Sequence, residues 1–131
     1  MASILEVDSL IQANNYASFM NDAKWEKLFE NLLQEFDSIL IRYKLVGRME
    51  VKERIYDSVD FKPFFMEPIF YKEIEWIEFP EEMQIILNKR VSRQHISELK
   101  QDIERIEKNI NKTGVFELEK EKGTLRLYGY K

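Results

Sequence analysis

The chain has 131 residues, 44% of them apolar and 34% charged, with a formal net charge of -4 at neutral pH. That length and balance fit one folded domain, residues 1–131, and argue against low-complexity disorder and a helical membrane span; the acidity disfavours nonspecific binding to phosphate backbones. With no cysteine and one histidine, disulfides, thiolate nucleophiles and most zinc ligand sets are out of reach, as expected of a cytoplasmic protein.

The opening MASILEVDSL carries Glu6 and Asp8 where a secretory signal has a basic head and an apolar run. Ile4, Leu5, Val7, Leu10 and Ile11 fit one helical face, broken at Asn14 and Asn15. A second helix is expected over 22–37, capped by Asn21 or Asp22, with Trp25, Leu28, Phe29, Leu32, Leu33 and Phe36 as its buried stripe. The period then falls to two. Ile39, Ile41, Tyr43 and Leu45 point one way, and after a turn at Val46-Gly47, Met49, Val51 and Ile55 alternate with Glu50, Lys52 and Arg54, which predicts a hairpin. Turn chemistry over Asp57 to Pro63 precedes the apolar cluster Phe64, Phe65, Met66 and a strand from Ile69 to Phe79, ended by Pro80.

Beyond Pro80, Met83, Ile86 and Leu87 suggest a short helix, and Ile96, Leu99, Ile103, Ile106 and Ile110 a longer one, capped near Ser92 and closed by a left-handed Gly114. VFELEK and TLRLYGYK around Glu121-Lys122-Gly123 predict a closing hairpin with Phe116, Leu118, Leu125 and Leu127 inward. Grouped strands with separate helices give an α+β fold: a mostly antiparallel sheet of about five strands with helices on one face.

Chemistry-bearing constellations are sparse. His95 stands beside Ile96 at a helix start without a nucleophile context, no serine lies in a G-x-S-x-G frame, and no glycine-rich phosphate loop occurs. DSVDFKP lacks the glycine hinge of a calcium loop, and Lys89, Arg90 and Arg93 make a basic patch too small for a nucleic-acid reader. The Asn111-Lys112-Thr113 sequon is a chance match in a cytoplasmic chain. The stretch YKEIEWIEF is the informative one. On a regular strand, Tyr71, Glu73, Glu75, Ile77 and Phe79 share one face, while Phe70, Ile74 and Trp76 make a core stripe on the other. The carboxylate pair Glu73 and Glu75 then either meets a cationic partner or is neutralised by Arg42, Lys44, Lys52 or Arg54 on neighbouring strands.

NDAKWEKLF, YKEIEWIEF and GTLRLYGY together resemble a family of small uncharacterised bacterial cytosolic proteins, with a lysine-tryptophan helix start, a YKxIEWIEF strand and a GxxRxYGY hairpin. The resemblance implies a bacterial α+β protein without assigned chemistry, and in type it is similar to the immunity proteins that accompany toxins. The expected function is a non-enzymatic protein-binding domain, an immunity-type inhibitor of a basic toxin, using Glu73, Glu75, Tyr71, Arg126 and Tyr128. No cofactor, metal, nucleic acid or membrane is expected. The alternatives are a small-molecule-binding or enzymatic domain with a pocket near Arg126, Tyr128 and Tyr130, or self-association through the Ile96 to Ile110 helix or the C-terminal edge, with the chain a monomer or weak dimer.

Overall fold

The computed structural model describes residues 4–56, 71–87 and 95–131. Helix α1 spans Ile4–Ala13 and buries Val7. Helix α2 spans Asp22–Glu35, and its N-terminus is fixed by Asn21, whose side chain accepts the Lys24 amide at 2.9 Å. The stripe Trp25, Leu28, Phe29, Leu32 is buried as its spacing requires, with Leu33 and Phe36 packed at its margin.

The main sheet has the order β2-β1-β3-β7-β6, from β1 (Ile39–Leu45), β2 (Val51–Tyr56), β3 (Ile74–Pro80), β6 (Leu118–Glu121) and β7 (Thr124–Tyr128), with every pairing antiparallel. The hairpin β1-β2 turns through Gly47 at φ 78, a backbone conformation that favours glycine. Ile39, Ile41, Tyr43, Leu45, Ile77, Phe79, Leu125 and Leu127 present one face to α2 and to α3 (Ile103–Thr113), which contributes Ile103, Ile106 and Ile110 to the same core. Phe116 and Leu118 lie at its edge, half-buried. The expected α+β class and one-sided helical layer are found.

Strand β3 departs from regular alternation. Tyr71–Glu73 form a 3-10 turn, not the beginning of a strand, and the β1-β3 register slips between Lys44↔Trp76 and Leu45↔Ile74, leaving Glu75 as an extra residue. Ile74 therefore joins Ile77 and Phe79 in the core, whereas Trp76 and Glu78 face away from the helices. The expected core stripe of Phe70, Ile74 and Trp76 and the shared face of Glu73 and Glu75 do not survive this bulge. Phe70 itself lies outside the described residues, as do the 57–63 turn, the Phe64 to Met66 cluster and the Lys89, Arg90, Arg93 patch.

The segment after Pro80 is also corrected. Met83 to Leu87 is not a helix: β4 (Glu82–Leu87) pairs antiparallel with β5 (His95–Lys100), placing Met83 opposite Leu99 and Ile86 opposite Ile96. The Ile96 to Ile110 stripe is thus split between a strand and α3, so no continuous heptad helix exists for self-association. The helix begins only at Asp102, whose carboxylate accepts the Glu104 and Arg105 amides at 3.1 and 3.2 Å. Its C-cap Gly114 has φ 170, extended rather than left-handed.

Between β5 and α3, Gln101 performs the work of a missing strand residue. Its amide oxygen accepts the Leu40 N–H at 2.9 Å, and its amide nitrogen donates to the carbonyls of Leu40 at 2.9 Å and Pro80 at 2.7 Å. Unpaired backbone groups at a half-buried site are costly, so Gln101→Ala is expected to lower the unfolding free energy by roughly 2 kcal/mol in urea denaturation. A loss below about 0.5 kcal/mol would show that water substitutes for the amide.

Candidate functional site

Strand registers align five side chains across the sheet face that points away from α2 and α3. Glu53 stands opposite Arg42, Arg42 opposite Glu78, Glu78 opposite Arg126, and Arg126 opposite Glu119, so charge alternates in sign from one edge to the other. At its centre Arg126 donates from Nε to Glu78 Oε1 at 3.0 Å and from Nη2 to the same oxygen, and Arg42 Nε lies 3.7 Å from Glu78 Oε2. Burial, the largest single cause, works to lower the Arg126 pKa, but the interactions with Glu78 and Tyr128 together outweigh burial and raise it.

The next row along the strands is aromatic. The Arg126 guanidinium sits 4.2 Å from the Trp76 ring centroid and 5.8 Å from that of Tyr128, and the Tyr128 hydroxyl donates to Glu119 at 3.3 Å. Beside Trp76, the Lys44 ammonium lies 3.1 Å from Glu75, whose carboxylate also accepts the Tyr16 hydroxyl at 2.8 Å. That hydrogen bond is the first cause raising the Tyr16 phenol above its ordinary value, with burial and the Glu75 charge adding to it. At the β2 edge Val51 and Ile55 remain exposed.

Of the residues expected to form one binding patch, the structure brings Arg126, Tyr128 and Glu75 to the outer side of the sheet. It does not bring Tyr71 or Glu73 there. Tyr71 is buried in the main core, its ring stacked on Trp25 and Phe29 at 6.3 and 6.4 Å, and Glu73 is buried in the 3-10 turn. Glu75 is neutralised by Lys44, one of the four cations expected to be capable of it. His95 opens β5 instead of a helix. Sequence reasoning passed over Trp76, Glu78 and Tyr16 as members of this outer-face network, in which Trp76 and Glu78 are themselves buried; the pairing of Glu78 with Arg126 was accessible only through strand order.

A second feature lies where the linker before α2 meets the chain's end. A cleft of about 530 Å³ is lined by Met20, Asp22, Trp25, Lys72, Gly129 and Tyr130, among others. Gly129 fits because a Cβ there would press into the Ile74 carbonyl and lie 3.3 Å from the Trp25 ring. The Tyr130 hydroxyl donates to the Lys72 carbonyl at 2.9 Å, and Lys72 pairs with Asp8. Burial, then the charges of Asp8 and Asp22, raise the Tyr130 phenol. Among the described residues, no three His, Cys, Asp or Glu side chains stand close enough to hold a metal ion, and no helix is long and apolar enough to cross a membrane.

These features define an α+β domain whose polar side chains on the outer sheet face are committed to one another. Residues 7–131 match the model of a family of unknown function, DUF6678, and the chain belongs to that family. No curated protein and no solved structure matches it.

Two predictions follow from the geometry. Removing the shared acid should hurt more than removing one of its bases: Glu78→Ala, which leaves Arg42 and Arg126 unbalanced, is expected to cost about 2 kcal/mol and Arg126→Ala about 1 kcal/mol, after allowance for solvent screening of arginines that are a third exposed. Equal losses in chemical denaturation would contradict the shared-acid arrangement. Separately, burial, with help from Glu26, Asp22 and Glu30, pushes the Tyr71 phenol up to about 12. An unfolded tyrosine ionises near about 10, so the folded state holds the proton more tightly, and this contribution is intact below pH about 10 and lost as pH climbs to about 12. The fall in urea midpoint across that window should be shallower in Tyr71→Phe; an unchanged slope would rule Tyr71 out as its source.

Proposed function

We propose that this domain is a non-enzymatic binding protein that docks a basic protein partner on the outer face of its five-stranded sheet. The observation that carries this reading is the Arg126 and Tyr128 pair over Trp76: a guanidinium a third exposed, clamped by Glu78 and stacked on an indole that is itself buried, on the same sheet face as the exposed Val51 and Ile55, which lie two strands beyond Trp76. Arginine, tryptophan and tyrosine are the residues that most often dominate binding energy, and a group already held in place loses little freedom when a partner arrives. Because the central row alternates in sign and sums to a single negative charge, the face supplies contact and register, while the net charge of -4 supplies long-range attraction to a basic partner. The finer form of the proposal is an immunity-type inhibitor of a toxin in a bacterial cytoplasm, supported by the acidity and by the resemblance carried by the three motif segments.

A second reading, a small-molecule-binding domain, is favoured by the cleft at Trp25 and Tyr130, whose size lies in the usual range for ligand sites.

The test is capture of partners from the native host with a tagged domain, alongside a Val51→Asp, Tyr128→Ala variant whose melting temperature matches the original. A basic protein retained by the first and lost by the second is expected; retention by both would remove the sheet face from the proposal. Co-expression then addresses the finer form. The captured protein should arrest growth alone and be tolerated with this chain, and a harmless product would end the immunity reading.

A further inference from the structure

The polar groups around the Trp25 and Tyr130 cleft are nearly all spent. The Asn21 side chain caps α2, the Ser18 hydroxyl donates to the Met20 carbonyl at 3.3 Å, the Tyr130 hydroxyl is taken by the Lys72 carbonyl, and the Lys72 ammonium by Asp8. The exception is Asp22. It is exposed at the cleft, with no ion-pair partner among the described residues. The cleft thus offers an apolar lining of Met20, Ala23, Trp25 and Tyr130, with one carboxylate at its rim that has no ion-pair partner among the described residues.

Two opposing terms decide what such a site attracts. The first-turn amides of α2 favour an anion, but a carboxylate at the first helical position already answers that partial charge. The negative field also reaches the cleft lining, since Asp8 and Asp22 both work to raise the Tyr130 phenol. A long side chain with an apolar stem and a cationic head matches this combination: the stem lies on the lining and the head meets the carboxylate.

We infer that the cleft between the start of α2 and the Gly129-Tyr130 end of the chain seats an arginine or lysine side chain of the protein partner, with Asp22 as its counter-ion. This rests on the protein-binding reading and adds the group by which that partner is gripped.

The experiment is an amide and indole NMR titration of the whole chain with Nα-acetyl-arginine amide and Nα-acetyl-lysine amide, with the glutamine and glutamate analogues as neutral and anionic controls. Saturable shifts at the Trp25 indole and the Ala23 and Gly129 amides are expected with the basic probes only. Asp22→Asn should weaken them by about fivefold or more, the loss of a charge-assisted contact at a partly exposed site. Val51→Asp with Tyr128→Ala should leave them unchanged. Absence of saturable shifts with either basic probe up to about 50 mM, far above the millimolar scale of weak single-contact binding, would overturn the inference. So would equal binding to Asp22→Asn, or preferential binding of the glutamate probe, in which case the helix end prevails. Probe binding as expected, in a protein that captures no basic partner, would overturn the assignment to a partner's side chain, and the protein-binding reading would then be what failed.

Discussion

The carbonyl of Glu75 accepts two amides, from Gly129 at 2.8 Å and Tyr130 at 3.1 Å, and much of the structure depends on that junction. It occurs because Glu75 is the extra residue of a bulge, pushed out of the ladder to β1 and toward the end of the chain. One residue of slip reverses the facing of everything before it relative to everything after. Ile74 can then share the core with Ile77 and Phe79 while Trp76 and Glu78 turn to the opposite side. The close approach requires glycine at 129, since a side chain there would collide with the Ile74 carbonyl. Next to it, the amide of Phe19 donates to the Gly129 carbonyl, and Ala17 and Lys131 exchange hydrogen bonds, so the linker between α1 and α2 is bound to the same place.

This explains which parts of the fold were readable in advance. Where one periodicity runs uninterrupted, as in the Trp25 to Leu32 stripe or the Ile39 to Leu45 alternation, burial follows the pattern. The bulge at Glu75 breaks the period without a glycine or proline to announce it, so counting by twos from Tyr71 left Glu73 on the surface and put Trp76, which is buried as expected, on the same face as Ile74. The stretch from Met83 to Leu99 failed for a different reason. Met83, Ile86, Leu87 and Ile96, Leu99 satisfy spacings of three and four as well as they satisfy strands, and pairing of β4 with β5, a nonlocal fact, decides between them. A local cue did exist: Asp102, with Glu104 and Arg105 following, is a helix start, and placing the start there releases Ile96 and Leu99 for a strand.

The site divides in the same way. Arg126 and Tyr128 were identifiable as surface candidates because they alternate with Leu125 and Leu127. Their company was not, because the row Glu53, Arg42, Glu78, Arg126, Glu119 gathers one residue from each of five strands, and adjacency across strands is invisible until their order is known. Such a row also accounts for the abundance of carboxylates in YKEIEWIEF. Glu78 is held between two arginines and Glu75 by Lys44 and Tyr16, so an aromatic strand can lie in mid-sheet without a purely apolar outer surface. Inward-facing Lys52 and Arg54 on the β2 edge oppose edge-to-edge pairing with another chain in the way that natural sheets commonly do.

Alternation on the sheet has a consequence for the whole molecule. With three acids of the row set against two bases, most of the net charge of -4 must be expressed elsewhere. One place where acids gather is the flank of α2 on which Asp22, Glu26 and Glu30 succeed one another at intervals of four and raise the Tyr71 phenol together. That flank adjoins the cleft at Trp25, which is built from all three segments that carry the family resemblance: Trp25 from the first, Lys72 from the second, Gly129 and Tyr130 from the third. On the proposed binding reading, a cationic partner drawn by the molecule's overall field would be guided toward α2, while the sheet face, with Arg126 and Tyr128 partly exposed, would offer contact of fixed shape. On that reading attraction and shape recognition are divided between different surfaces of one small domain, and a partner using both would present a basic projection beside a flatter, largely uncharged area.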